Sequence, residues 1–473
     1  MDFLRIPVEL MRRGESMRKG YGQRQRTVAI WLAMCLGGWM SGPALAQEAK
    51  KSALETQPPT LSAPPPMISE GERLSLERVV QIAQAMQPNI LAARGSIDAG
   101  RSRVGQAESR FFPQIDGSAN YDRLSPAGSY MVPTDDDNSY GQYAAGVTVN
   151  QILYDFGKTG TQVAIQKTAV DSSRADLTSV EDQVIFSVKS AYYDLLKSAR
   201  NREVAAATVK QFEKHLEQAK AFFEAGVKPK YDVTKAMVDL GNAKLNLIRA
   251  ENGQRLAKVS LNTAMGLPEA PSYEVEDTMG FVPFALPLTE ALDKAYGQRP
   301  DLKALLLKKQ AAAQSVELAR KGYYPLLSGS ARYSYGGETF PLDEGWDVGV
   351  GLTFPIANGK RTMHEVDEAR ANLAILAANE TALRQSIYKE VQQDYLNLRE
   401  AEERVQTAEL TVKQAEENSE IAVGRYNAGV GNPVEVTDAD VALANAKFNH
   451  IAALYDYKIA QVSIEKAIGT ADR

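Results

Sequence analysis

The chain is expected to fold as a mixed, mainly α protein built twice to one plan, each copy holding two β-strands and a pair of long coiled-coil helices. Three observations carry this expectation. First, residues 188–266 match 391–469 without a gap at an offset of 203, with roughly a third of the positions identical. Thr208-Val209-Lys210-Gln211 recurs as Thr411-Val412-Lys413-Gln414, and Ala225-Gly226-Val227 as Ala428-Gly429-Val430. Upstream the offset is 212, pairing Phe112-Pro113 with Tyr324-Pro325 and Gly117-Ser118-Ala119 with Gly329-Ser330-Ala331; the nine-residue change falls between segments 122–142 and 334–345, in one loop. Second, residues 161–225 contain no Gly or Pro and 361–428 only Gly424, so each tract can run as one helix of some 65 residues, about 100 Å long. Third, four short segments alternate apolar and polar residues with the period of a strand.

The elements follow in that order. Residues 1–46 are expected to be a signal peptide: a basic stretch, the apolar run 28–40, and Ala44-Leu45-Ala46 as a small-x-small cleavage site. Met17, before Arg18 and Lys19, makes a better start than Met1; a retained anchor or a lipid-modified Cys35 are the competing readings. Cleavage would remove seven basic and three acidic residues and leave 47 against 56, a net charge of -9, with no cysteine. Residues 47–73 are a Pro-rich lead-in, 74–285 the first repeat and 286–469 the second.

Within each repeat the expected order is short helix, helix, strand, loop, strand, very long helix, tight turn and long helix. Ile115, Gly117, Ala119 and Tyr121 alternate with Asp116, Ser118 and Asn120; Tyr143, Ala145, Val147 and Val149 with Gly146, Thr148 and Asn150. Leu327 to Tyr335 and Trp346 to Phe354 repeat the pattern. The returning helices carry Ala at a spacing of seven, from Ala236 to Ala264 and from Ala439 to Ala467. That period favours a left-handed supercoil, and Ala in the seam lets backbones approach closely.

Composition excludes several classes. With 44% apolar and 24% charged residues the chain is not disordered throughout, and 54 basic against 59 acidic residues give no global reason to bind nucleic acid. One Cys and three His cannot build a cysteine-rich zinc site or a disulfide framework. A mean hydropathy of -0.31 with one long apolar run excludes a polytopic helical membrane protein, and leaves a β-barrel open.

In a bilayer, strands survive only in a closed barrel, and four per chain are too few to close one. The chain must therefore oligomerise. Two copies supply eight strands and three supply twelve; eight leave an interior filled by side chains, whereas twelve leave room for a pore. Small and polar residues on one face (Gly146, Thr148, Asn150, Gly349, Gly351, Thr353) favour twelve.

The doubled plan, Phe112-Pro113 and Tyr324-Pro325 opening a strand, Gln151-Ile152-Leu153-Tyr154-Asp155-Phe156-Gly157-Lys158 and Phe354-Pro355-Ile356-Ala357-Asn358-Gly359-Lys360 closing one, and Tyr426-x-x-Gly429 together resemble the TolC family of outer-membrane efflux channels over roughly residues 74–469. The resemblance implies a homotrimer in the outer membrane of a Gram-negative bacterium, with a twelve-stranded β-barrel continued by a twelve-helix α-helical barrel through the periplasm. It also implies a periplasmic adaptor (membrane fusion) protein and an inner-membrane pump of RND or ABC type as partners, with outer-membrane lipid around the barrel. No cofactor, metal or nucleic acid is expected. The function implied is a passive conduit for efflux or type I secretion; the alternative is a soluble periplasmic coiled-coil scaffold without a pore.

By antiparallel geometry the turns at 226–232 and 429–435 lie farthest from the barrel. The family's periplasmic gate maps onto Asp232, Tyr426, Glu435 and Asp438, and its adaptor-docking tip onto Gly226, Val227, Gly429 and Val430. A threefold axis would turn Glu435 and Asp438 into an acidic ring. The bland reading is local: Asn432 is a good N-cap, Pro433 suits the first helical position, and Glu435 falls where a capping box places it. The glycines likewise suit helix termination. The family's Arg two residues after the second-turn Gly is replaced by Gly431, with Lys228 or Lys230 as possible substitutes in a latch.

Other features fit bland roles. His215, His364 and His450 are expected as solvated or seam residues rather than ligands, so no enzyme is expected. Tyr121, Tyr143, Tyr333 and Trp346 suit an interfacial girdle. Asp135-Asp136-Asp137 is a solvated loop run, with weak divalent-cation binding as the alternative.

Overall fold

The computed structural model describes residues 68–124, 139–277, 280–281 and 283–470. The expected signal peptide with Cys35, most of the Pro-rich lead-in and the Asp135–Asp137 run lie outside the described residues. The first repeat runs β1 (Glu72–Leu74), α1 (Leu76–Met86), α2 (Pro88–Glu108), β2 (Gln114–Leu124), β3 (Tyr140–Tyr154), α3 (Lys158–Glu224) and α4 (Lys230–Met265). After β4 (Tyr273–Val275) the second repeats it as α5 (Leu288–Gln298), α6 (Pro300–Arg320), β5 (Leu326–Gly337), β6 (Asp343–Thr353), α7 (Arg361–Asn427) and α8 (Pro433–Ala467). Both long helices have 67 residues, which at 1.5 Å per residue is about 100 Å.

β2, β3, β5 and β6 form one antiparallel sheet in that order. Its register aligns the two faces across all four strands. One face carries the row Ile115, Val149, Ala331, Val348 and, beside it, Gly117, Val147, Tyr333, Trp346; the other carries Asp116, Thr148, Arg332, Asp347 and Ser118, Gly146, Ser334, Gly345. The apolar side is exposed in the chain: Ile115 is 65% accessible, Val348 61% and Val350 70%. Aromatic rings gather at both ends of it. Tyr121 and Tyr143 meet at 4.8 Å and Tyr143 touches Phe340 at one end, while at the other Tyr154 meets Phe156 edge-on and Phe156 stacks on Tyr324. From Tyr121 back to Phe112 is nine residues, about 30 Å of strand, or roughly 23 Å of height at a tilt near 40°, the thickness of an outer-membrane apolar band.

Sharp bends join sheet to rods. Gly157 (φ +78°) and Gly359 (φ +61°) take left-handed dihedrals that a side chain would strain. In the first bend the Asp155 carboxylate accepts the backbone N–H groups of Gly157, Lys158 and Thr159 at 3.0, 3.1 and 2.6 Å. Lys321 Nζ, from the other repeat, bonds Gly157 O and Thr161 Oγ1. The strand exit and the helix start are thereby held as one unit.

The rods pack in two tiers. Next to the sheet α3 sits between α2 and α6, and α6 also contacts α7; toward the turns α3 sits between α4 and α8, and α8 against α7. On α8 the heptad seam is buried at Ala439, Ala446, Ala453 and Ala467, whereas on α4 Ala243 is buried and Ala236, Ala250, Ala257 and Ala264 are half-buried. Ile387, Val391 and Leu398, spaced by four and seven on α7, are at most 1% exposed, and each such side chain contributes about 1.5–3 kcal/mol of burial. The repeats share one anchoring device at mid-chain. Gln87 Nε2 donates to Ala264 O at 2.9 Å, and its counterpart Arg299 donates to Ala467 O at 3.1 Å. Both sit where Gly266 and Gly469 leave room: a Cβ on either would lie 2.8–3.0 Å from the neighbouring backbone.

One pairing was not expected from sequence: β1 and β4 form a short parallel pair, Glu72–Leu74 against Tyr273–Val275. Tyr192 O–H reaches Leu74 O and Glu276 O across it, seating the pair on α3.

Two edges are open over most of their length among the described residues, α4 and α7 meeting only near the turns. β2 and β6 end the sheet, and α4 and α7 end the lower helical layer. The free face of α4 is apolar: Val238, Leu245 and Val259, in heptad register, are 54–61% exposed. On α7, Ile375, Leu396 and Leu410 are similarly bare.

Candidate functional site: the two helical turns

Both turns close by the same left-handed glycine device. Gly226 has φ +69° and Gly429 φ +77°. In the first turn Val227 N–H and Lys228 N–H return to Phe222 O at 2.9 and 3.3 Å; in the second Val430 N–H and Gly431 N–H return to Arg425 O at 3.1 and 3.0 Å. These bonds turn the chain tightly enough to thrust Val227 and Val430 outward, 67% and 69% exposed. Asn432 caps α8 as its residue type suggests, its Oδ1 accepting Val434 N–H at 2.8 Å and Glu435 N–H at 3.0 Å.

The four expected gate residues separate into two pairs. Asp232 (4% exposed) and Tyr426 (6%) meet inside the coil, the Tyr426 hydroxyl donating to Asp232 Oδ2 at 3.3 Å. Burial, and then the Asp232 charge and hydrogen bond, push the Tyr426 phenol above its ordinary value, so it is a protonated donor at neutral pH. Phe222 packs edge-on to this ring at 5.9 Å, and Lys228 Nζ lies 4.9 Å above it. Lys228 thus contacts the latch through the ring face; Lys230 makes no ion pair among the described residues.

Glu435 and Asp438 instead lie exposed on the first turns of α8. The Glu435 carboxylate sits 3.6 Å from Arg425 Nε; the capping-box bond back to Asn432 N–H is absent among the described residues. Asp438 has no ion pair among the described residues. Gly431 has a steric cause: a Cβ there would lie 2.9 Å from Tyr426 N and 3.1 Å from the Arg425 carbonyl carbon. The turn has no room for the family's Arg at this position, and the arginine beside Glu435 comes from the preceding helix.

Sequence reasoning missed a second tier of buried carboxylates just above the turns. Asp239 on α4 holds Lys235 Nζ at 2.6 and 2.7 Å and lies 2.9 Å from Thr437 Oγ1 of α8. Asp440 on α8 accepts from Gln211 Nε2 (2.6 Å) and Ser419 Oγ (2.6 Å) and lies 2.8 Å from His215 Nε2. The available signal was a break in the repeat: the counterpart of Asp440 is Met237, and an acid beside the Ala439 seam needs a partner. His215 is the seam residue expected of it. Among the described residues no three His, Cys, Asp or Glu side chains form a metal-holding group, and no helix is long and apolar enough to cross a membrane.

Comparison with known proteins places this architecture. The family model for outer membrane efflux protein matches residues 79–267 and 291–470, one match per repeat. The outer membrane protein TolC of Vibrio cholerae serotype O1 is 25% identical over 413 residues, covering 84% of this chain and 91% of its own. The probable efflux pump outer membrane protein TtgC of Pseudomonas putida is 23% identical, covering 91% and 89%. Among solved structures, the Campylobacter jejuni CmeC outer membrane channel superposes with a TM-score of 0.73 at 18% identity, over 87% of this chain and 91% of that one. The open-state MtrE channel of Neisseria gonorrhoeae gives 0.69 at 17%, over 84% and 89%. TolC-like efflux channels are trimers that work with an adaptor and an inner-membrane pump, and the family is one of conduits rather than enzymes. Nothing favours the soluble scaffold. With both repeats matched, the chain belongs to the outer membrane efflux protein family, the TolC family, and is an outer-membrane channel component of efflux systems.

Proposed function

We propose that the two helical turns form the periplasmic mouth of this channel, with Asp232 and Tyr426 as an internal latch, Asp438 and Glu435 as its charged rim, and Gly226-Val227 and Gly429-Val430 as the tip that receives the adaptor. The observation that carries the reading is the pair of open edges. β2 and β6 are the two edges of the sheet, and α4 and α7, above the latch where they meet, each leave an apolar face bare, so head-to-tail association pairs bare strand with bare strand and apolar coil with apolar coil. The same closure turns the Asp116-Thr148-Arg332-Asp347 face to water and the Ile115-Val149-Ala331-Val348 face to outer-membrane lipid. With Arg425 beside Glu435, the uncompensated charge of the rim falls mainly on Asp438, and a narrow acidic rim prefers cations. Val227 and Val430 offer the adaptor an apolar contact at low desolvation cost. The pump, of RND or ABC type, selects the cargo; the duct is passive.

The test is conductance. Purified protein in planar bilayers is expected to form discrete, cation-preferring channels of low conductance, and the protein to fractionate with outer membranes. A protein that inserts but shows no cation preference refutes the acidic rim.

A further inference from the structure

The two ends of the sheet carry opposite charge. At the end joined to the rods, residues 109–114, 154–160, 320–326 and 353–361 hold six cations, Arg110, Lys158, Arg320, Lys321, Lys360 and Arg361, against one acid, Asp155. At the far end, residues 120–124, 140–143 and 335–346 hold four acids, Asp122, Glu338, Asp343 and Glu344, against one cation, Arg123. The whole chain has a net charge of -5, so the basic end runs against its composition. Arg320 and Arg361 pair with Glu317 and Glu365 of their own helices. Arg110, Lys158 and Lys360 form no ion pair among the described residues, and Lys321 bonds neutral oxygens, Gly157 O at 2.9 Å and Thr161 Oγ1 at 2.6 Å. Asp155 is turned to the α3 backbone. All six cations except Lys321 are exposed. Seven aromatic residues stand in the same four segments, every one exposed. The first bend shows which side they take. Tyr154 pairs with Leu327 on the apolar face of the sheet and meets Phe156, which stacks on Tyr324. Lys321 precedes Tyr324 by one 3-10 turn and so shares its side. It therefore borders the apolar face, with Arg320 and Lys158 next in the chain to the two partners of the Lys321–Gly157 contact.

We propose that this basic collar binds the headgroup phosphates of anionic phospholipids in the leaflet of the outer membrane that faces the periplasm. Lys158, Arg320 and Lys321 form one group within each chain. Closure of the barrel sets the β2 edge, preceded by Arg110, against the β6 edge of another copy, followed by Lys360 and Arg361, so a second basic group forms at each joint between copies. The chemistry fits a lipid phosphate on three counts. Ammonium and guanidinium groups give phosphate oxygens charge-assisted hydrogen bonds. Their long stems lie along apolar surface while the charged heads stay in water, which is the environment at the foot of an apolar band. Exposed aromatic rings prefer the same interfacial level. A free phosphate ion would call for a closed site with buried donors, whereas these cations stand open beside the apolar face. The acidic far end repels the same headgroups, so the preference belongs to one leaflet and favours one orientation of the barrel in the membrane.

The proposal rests on the apolar face meeting lipid, and its test separates the two. Full-length trimers are reconstituted in nanodiscs made of equal amounts of phosphatidylglycerol and phosphatidylcholine, and the lipids that stay bound on transfer to detergent are identified by native mass spectrometry. Wild type is expected to retain phosphatidylglycerol in preference, less so as salt is raised. The double variant Lys158→Gln, Lys360→Gln removes one cation from each basic group and is expected to cut that preference about fivefold, the effect of one cation near an anionic surface. Arg123→Gln, at the acidic end, is expected to leave it unchanged. Equal retention of the two lipids by wild type, or a wild-type preference in the double variant, overturns the collar. Displacement of the bound lipid by inorganic phosphate assigns the cations to a free anion and overturns it as well. A trimer that enters no nanodisc refutes the lipid-facing sheet, and the collar with it. Trimer recovery shows whether the double variant assembles; if it does not, Arg110→Gln carries the same expectation for the group at the joint.

Discussion

Replacing Tyr426 by Phe removes one oxygen from the interior of the coil and leaves Asp232, 4% exposed, without its hydroxyl donor. A hydrogen bond to a charged group contributes about 1.5–3 kcal/mol. At 3.3 Å the bond is long for O–H to O, which places it at about 1.5 kcal/mol, a tenfold change in the closed-to-open ratio per protomer. If the three latches of a trimer release together, the ratio shifts by about a thousandfold. The ring itself stays, since Phe retains the edge-on contact with Phe222 and the face beneath Lys228. Single-channel recording is the assay: Tyr426→Phe is expected to raise mean conductance and to admit larger hydrophilic solutes into cells, while the trimer assembles normally. Asp232→Asn in the same background separates pairing from burial, because the double variant should lose little beyond the first if the two act as one unit. A correctly assembled Tyr426→Phe trimer whose conductance equals wild type would refute the latch.

Other outcomes follow from the same geometry. Lys228→Ala is expected to raise conductance less than Tyr426→Phe does, since Lys228 is only half-buried and a cation–ring contact of that kind is worth about 0.5–1 kcal/mol; an effect equal to or larger than that of Tyr426→Phe would count against this assignment. Gly431→Ala forces a Cβ against the Arg425 and Tyr426 backbone and should destabilise the turn by about 1–3 kcal/mol, visible as a lower melting temperature; Gly431→Arg should behave no better, so a tighter, well-folded channel would contradict the steric account. In reversal-potential measurements Asp438→Asn should weaken cation preference more than Glu435→Gln does, because Arg425 already offsets Glu435. Asp394 is raised to about 6 by burial and then by Glu390, against the pull of Lys466 and Arg299. A carboxyl raised on folding favours the folded state at low pH and opposes it as pH rises through about 6. Asp394→Asn should therefore stabilise the fold by on the order of 1–2 kcal/mol at pH 8 after allowance for solvent screening, seen as a higher melting temperature at pH 8 and not at pH 4; a pH-independent change would disprove it.

Most of the architecture was legible because its causes are local. Helix length follows from the absence of Gly and Pro, strand facing from a period of two, and the turns from Gly226 and Gly429 followed by Pro229 and Asn432-Pro433. The duplication then doubled each inference, since a pattern seen at 115–121 could be checked at 327–335. The candidate site was legible in position but not in pairing. Asp232 and Tyr426 come together across 194 residues, Gln211 and Asp440 across 229. No spacing rule reaches that far.

What the linear chain specified was therefore the inventory: two long rods per repeat, four strands with one apolar face each, and two capped turns at the far end. Folding in three dimensions settled which side chains share an interior. The rotation of each rod about its axis, set by the alanine seam and by the anchors at Gln87 and Arg299, buries Asp232, Asp239 and Asp440 and leaves Glu435 and Asp438 in water. That rotation is a property of packing between rods, because a helix of given sequence can present any face until its neighbours close on it. The same packing explains Gly431, which reads as a missing latch along the chain and stands in space as the one residue small enough to let α8 start against α7.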